Sequence, residues 1–306
     1  MLHNDTSLFE QIILRVSEDT GIEASIIEKD YYVTLFLQRI VKRLPDIIFK
    51  GGTSLSKCYK LINRFSEDID LNIDTETHPT EGQRKKLKDC IVSIIDELGF
   101  TLSNPDNVRS RRDYNRYIVD YPTIFPTSYL KEHLIVETAV YIKAYPCKRM
   151  LASSLIYDYL DRSGYTDLIE LHNLHPFELN VQTAERTLID KVFALGDYYL
   201  CDAVHEHSRH VYDIFKLLDE VTLDDSMKQL VWDVFEERKP HVNCRSAKDG
   251  VDMNTLLQEI LDKAVYKQDY EDITAKILFE EVPYETASTA LRKIIASGVF
   301  SRHEPL

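Results

Sequence analysis

Phe49-Lys50-Gly51-Gly52-Thr53-Ser54, followed by Arg64-Phe65-Ser66-Glu67-Asp68-Ile69-Asp70-Leu71, is the stretch that decides the fold. It predicts a strand, a two-glycine turn, a short helix and a second strand. Residues i and i+2 of a strand share a face. Asp68 and Asp70 are therefore expected to aim two carboxylates at one point, with Ile69, Leu71 and Ile73 on the buried face opposite. A glycine turn that opens a helix offers free backbone N–H groups to an anion. Gly51, Gly52, Thr53 and Ser54 are thus candidate phosphate-binding residues, although Thr53 and Ser54 also suit plain helix capping. A phosphate cradle beside paired carboxylates suits metal-assisted chemistry on a nucleotide, with Mg2+ the expected ion.

Outward from this stretch, Asp46–Lys50 reads as the first strand and residues 6–43 as helices, with Ser25 and Glu28 at capping-box spacing. Thr80–Leu98 reads as a helix stopped by Gly99. Tyr114–Tyr121 and His133–Ile142 read as further strands. Glu137 interrupts the second of these. A lone charge buried there is costly, so it is either an edge residue facing water or a third carboxylate for a metal. From about residue 150 the pattern turns helical, over 181–200, 209–218, 226–237, 255–264 and 287–296. Strands early and helices late predict an α+β fold. The expected division is 1–150 for N-terminal helices and core, and 151–306 for a mostly helical domain.

The chain has 306 residues and a net charge of −14, which argues against a broad non-specific grip on nucleic acid. A local basic groove stays open: Arg109, Arg111, Arg112 and Arg116, interleaved with Tyr114 and Tyr117, form the candidate patch. No apolar run is long enough to span a membrane, and the first residues lack signal-peptide character, so a cytoplasmic location is expected. The five cysteines are scattered without zinc spacing. No His-Glu-x-x-His, nucleophile elbow or Walker lysine motif is present. Lys191 flanks an apolar helical stripe, and Asp213 lies one turn after Arg209. By spacing alone these read as a surface lysine and an intrahelical ion pair.

The ordered motifs resemble those of the AbiEii/AbiGii nucleotidyltransferases, the toxin half of abortive-infection and type IV toxin–antitoxin operons. Phe49–Lys57 resembles the family's glycine turn, and Arg64–Leu71 its Arg-x-Ser-x-Asp-x-Asp motif. The Lys191 segment and Arg209–Ile214 resemble its third and fourth motifs. The motifs span residues 29–216, with His210 at a position where the family often carries Asp. The resemblance implies a polymerase β-like nucleotidyltransferase fold, a mixed sheet with flanking helices. It implies Mg2+-dependent transfer of a nucleotide from an NTP, to RNA or tRNA in some relatives, and a winged-helix antitoxin as partner. It also implies that Ser54 contacts the triphosphate, Asp68, Asp70 and Glu137 hold metal, Lys191 binds phosphate or base, and Asp213 completes the site from the helical domain. A same-fold transferase acting on a protein or small molecule, and a non-catalytic nucleotide-binding module, are the alternatives.

Overall fold

The computed structural model describes residues 1–66, 68–73, 75, 78–126 and 133–301. Glu67 of the second motif therefore lies outside the described residues. The chain forms two compact units. A sheet unit comprises residues 1–60 and 66–182, and a helical unit comprises residues 61–65 and 183–306.

The sheet unit holds strands β1 (Ile47–Lys50), β2 (Ile69–Ile73), β3 (Thr101–Leu102), β4 (Tyr114–Asp120), β5 (His133–Ala139), β6 (Cys147–Ala152) and β7 (Phe177–Gln182). They form one seven-stranded sheet in the order β3-β4-β5-β2-β1-β7-β6. The β2–β5 and β1–β7 pairs are parallel and the other pairs antiparallel, so the sheet is mixed. Its helices are α1 (Thr6–Thr20), α2 (Ala24–Arg43), α3 (Gly51–Lys57), α4 (Glu81–Glu97), α5 (Leu155–Arg162) and α6 (Thr166–His172). This is the expected α+β architecture.

The physical cause of the central hairpin is visible in β1 and β2. Ile47, Ile48 and Phe49 are fully or nearly fully buried, as befits a strand flanked on both edges. In β2 the alternation holds where it matters: Ile69 and Leu71 are buried in the core with Phe49, while Asp70 on the other face is half-buried. Burying Phe49 alone contributes about 2–3 kcal/mol. The start of α4 is fixed by a capping box, Thr80 with Gln83, and its end by Gly99 at φ +70°.

The capping box expected at Ser25 and Glu28 is not formed. Glu23 occupies the N-cap of α2 without a side-chain bond. Glu28 is buried instead, accepting from Thr123 Oγ1 at 2.6 Å and from the backbone N–H groups of Ile124 and Phe125 at 2.8 and 3.2 Å. Residues 147–182 also differ from the sequence expectation, since β6 and β7 extend the sheet there. Val181 and Gln182 belong to β7, and the following helix begins only at Ala184.

The helical unit contains α7 (Ala184–Leu200), α8 (Arg209–Leu217), α9 (Asp225–Arg238), α10 (Met253–Asp262), α11 (Lys267–Asp272), α12 (Tyr284–Ala287) and α13 (Thr289–Ser297). Leu188, Val192 and Leu195 of α7 and Val211, Ile214 and Leu217 of α8 are buried at helical spacing. Asp197 of α7 accepts from Arg238 of α9 at 2.6 Å and from the Ser246 backbone at 2.7 Å, which satisfies a buried carboxylate from two sides. No helix among the described residues is long and apolar enough to cross a membrane.

Candidate active site

In the sheet unit the site starts at the end of β1. Gly51 takes φ +77°, a left-handed conformation that favours glycine. A Cβ on Gly51 would lie 2.0 Å from Asp70 Oδ2 and 2.9 Å from Asp70 Cγ. Only a residue without a side chain lets the Asp70 carboxylate lie against this turn. The glycine therefore serves two needs: it turns the chain into α3, and it makes room for an aspartate.

Asp68 directly precedes β2, which begins at Ile69 rather than at Asp68. Asp70 stands in register with Lys50 of β1 on one side and with Glu137 of β5 on the other. Glu137 in turn faces Arg116 of β4. Lys50, Asp70, Glu137 and Arg116 thus form one row across four strands, with charges in the order plus, minus, minus, plus. Like charges directly opposite each other destabilise a strand pair. Two groups take up part of that cost at Glu137. Arg116 Nε lies 3.6 Å from its carboxylate, and the Tyr114 hydroxyl donates to it. The Tyr114 hydroxyl is pushed well above its usual pKa by burial and then by the Glu137 charge, with Asp70 adding to the effect. Glu137 is half-buried, between the two environments considered for it.

Thr53 and Ser54 are both buried. Ser54 Oγ donates to the Gly51 carbonyl at 2.8 Å, and Thr53 Oγ1 shares a hydrogen bond with Ser66 Oγ at 3.0 Å. Their hydroxyls brace the turn and tie it to the segment before β2. Below the turn, Lys57 ends α3. Its buried ammonium meets Asp30 Oδ1 at 2.5 Å and Thr34 Oγ1 at 2.6 Å.

In the helical unit, Asp213 of α8 is completely buried and held by two cations. Arg64 clamps it bidentately, with Nε and a terminal nitrogen each donating at 2.7 Å. Lys191 of α7 reaches the same carboxylate at 2.5 Å. Burial pushes the Asp213 carboxyl up, but Arg64 and Lys191 outweigh it and hold the group well below its ordinary value. Burial lowers the Lys191 ammonium, with Arg64 adding to the effect and Asp213 opposing it. Two cations on one carboxylate leave a surplus of positive charge. The sequence expectation of a surface lysine is overturned, because Lys191 is buried. The partners of Asp213 described here come from a distant loop and a second helix rather than from Arg209 one turn away. Arg64 belongs to the quoted motif, yet its role had no signal in spacing.

Of the basic patch, Arg109, Arg111, Arg112, Tyr114 and Arg116 are exposed, whereas Tyr117 is buried on the core side of β4. Tyr117 therefore leaves the patch. Arg111 is paired with Glu81 at 3.0 Å.

A metal ion has a specific meaning here. Among the described residues no group of three or more His, Cys, Asp or Glu is arranged to hold one. Mg2+, however, is ordinarily held by one or two carboxylates together with substrate phosphates. Asp68 and Asp70 are hard oxygen donors, and the opposed Asp70–Glu137 pair calls for a cation, so these residues fit the ion.

The family comparison agrees with this reading of the fold. A family model described as nucleotidyl transferase AbiEii toxin, type IV toxin–antitoxin system, matches residues 35–293. The chain belongs to that family, a nucleotidyl transferase toxin family whose designation implies an antitoxin partner. A search of curated proteins found no match.

Proposed function

We propose that the protein is a Mg2+-dependent nucleotidyltransferase that moves a nucleoside monophosphate from an NTP to a hydroxyl of RNA, with tRNA the favoured acceptor. The observation that carries this reading is the Asp70 carboxylate seated against Gly51, in register with Glu137. Asp68 and Asp70 would hold the metal, with Glu137 as a further oxygen ligand when Arg116 releases it. When bound, Mg2+ would supply a more acidic acceptor hydroxyl and charge for the triphosphate oxygens. The acceptor oxygen forms its bond to the α-phosphorus as the bond to the pyrophosphate oxygen breaks.

The chain's own residues support that exchange in distinct ways. The Gly51–Gly52 turn and α3 offer backbone N–H groups to phosphate oxygens, and the Ser54 and Thr53 hydroxyls keep that turn in shape. Lys191 supplies positive charge to phosphate. Asp213 fixes the position of its ammonium, and Arg64 keeps Asp213 ionised. The exposed arginines at 109, 111, 112 and 116 would meet the acceptor's phosphates. The antitoxin is proposed to be a winged-helix protein encoded nearby.

The test is incubation with Mg2+, each of the four labelled NTPs and total RNA or lysate. Label in RNA with wild type and its loss in a folded Asp70→Ala variant supports the reading. Equal transfer by Asp70→Ala overturns the site. The net charge of −14 favours a second reading, in which the acceptor is a protein or small molecule; label in a protein band or small-molecule spot would select it.

A further inference from the structure

A cavity lies in the sheet unit, and its lining includes Thr34, the hydroxyl that also meets Lys57. Its volume is about 160 Å3, and α2 and the end of α6 supply most of its wall. That is close to the roughly 150 Å3 in which an apolar protein cavity takes up benzene. This wall is not apolar throughout. Leu35 and Leu174 contribute hydrocarbon, whereas Thr34, Gln38, Arg39 and His172 contribute polar groups.

Two of those polar groups stand out. Arg39 Nε and His172 Nε2 are buried and make no hydrogen bond among the described residues. A buried nitrogen left unmatched carries its desolvation penalty uncompensated, and the more so when charged. Arg39 Nε is ion-paired with Glu97 at 3.6 Å without reaching a hydrogen bond, and Arg43 pairs with the same carboxylate. Two guanidinium groups on one carboxylate leave a positive surplus on this side. Burial above all lowers the proton affinity of His172, so its ring is a neutral hydrogen-bonding group near pH 7. His175 also lines the space, but its Nε2 lies 3.1 Å from Glu170. The Gln38 amide reaches the Asn173 carbonyl only at 3.4 Å.

We propose that this cavity is a binding site for a small organic anion, a carboxylate or phosphate on an apolar body of roughly benzene size. The anionic group engages Arg39 and His172, and the apolar body rests on Leu35 and Leu174. The cavity also has a path to the glycine turn. Thr34 accepts from the Lys57 ammonium at the end of α3. Asp30, the other partner of Lys57, accepts the Leu155 N–H at 2.8 Å, next to the cavity residue Ser154. An occupant thus bears on the hydrogen-bonded base of α3.

Benzoate and phenyl phosphate serve as anionic probes of the full chain, with benzamidine as the cation of similar shape. Calorimetric titration should show saturable binding of at least one anion and none of benzamidine. Arg39→Gln and His172→Phe should each weaken it by roughly tenfold or more. In wild type, the Leu35 and Leu174 methyl resonances should shift on titration, which keeps the test valid if Arg39→Gln fails to fold. No binding by either anion, equal binding of benzamidine, unchanged affinity in folded variants, or unshifted Leu35 and Leu174 methyls would each overturn the proposal.

Discussion

Replacing Gly51 with alanine isolates the contact on which the carboxylate site depends. The backbone at φ +77° costs a residue with a Cβ about 1–2 kcal/mol. The new Cβ would sit 2.0 Å from Asp70 Oδ2 and 3.2 Å from Asp70 Cβ, which is fixed by the strand. The carboxylate must therefore rotate away, at about 0.5–1.5 kcal/mol for an off-rotamer side chain. The expected loss is about 2–3 kcal/mol in urea unfolding, together with loss of nucleotide transfer. Asp70→Ala removes the obstructing atoms, so the double variant should retain only the backbone cost. The two substitutions should be coupled by about 1 kcal/mol. Gly82→Ala is the control, because Gly82 lies within α4 with nothing nearer than 3.9 Å to its added Cβ. It should stabilise by about 0.5–1 kcal/mol. If Gly51→Ala matched wild type in stability, or if the cycle were additive, the close approach of turn and carboxylate would be refuted.

Other consequences can be measured directly. Asp213→Asn leaves Arg64 and Lys191 without their buried carboxylate and should cost about 3–5 kcal/mol, read by denaturant unfolding. Because folding lowers the Asp213 pKa, its stabilising contribution is present above the ordinary aspartate value, about 3.9, and fades as pH falls below it. The acid limb of the stability–pH profile should be shallower in Asp213→Asn; an unchanged limb would refute the pairing. Lys57→Met strands Asp30 and should cost about 3–5 kcal/mol, with faster amide exchange along α3. Burial pushes the Cys58 thiol up to about 12, so at pH 8 a thiol reagent should modify exposed Cys201 long before Cys58, as peptide mapping would show.

The sequence made the central hairpin readable because both of its rules are local. Strand alternation set the faces of Ile69, Asp70 and Leu71, and the glycine pair marked the turn. The helical period placed most of the later helices near their observed ends. β6 and β7 were missed because Cys147–Ala152 carries no clean alternation, and because Val181 and Gln182 continue without a break signal into the α7 pattern. The Ser25 and Glu28 spacing looked like a cap, but loop backbone at residues 124 and 125 claimed the Glu28 carboxylate. The buried state of Lys191 and Asp213 was invisible for a related reason. The Asp213 carboxylate takes one counter-ion, Arg64, from 149 residues away and another, Lys191, from a second helix, and no spacing rule connects residues that meet only through tertiary packing.

That remoteness has a consequence for how the chain is made. Arg64 leaves the ribosome 149 residues before Asp213. At about 5–20 residues per second, this guanidinium waits roughly 7–30 s for its carboxylate to be synthesised. A product interrupted between residues 191 and 213 contains both glycines, Asp68 and Asp70, yet its Arg64 and Lys191 have no Asp213 to hold. The short segment Leu61–Phe65 also counts with the helical unit although it is embedded in the sheet unit's sequence. Cutting the gene at residue 182 therefore separates Arg64 from Asp213, and neither fragment carries the whole ion triad.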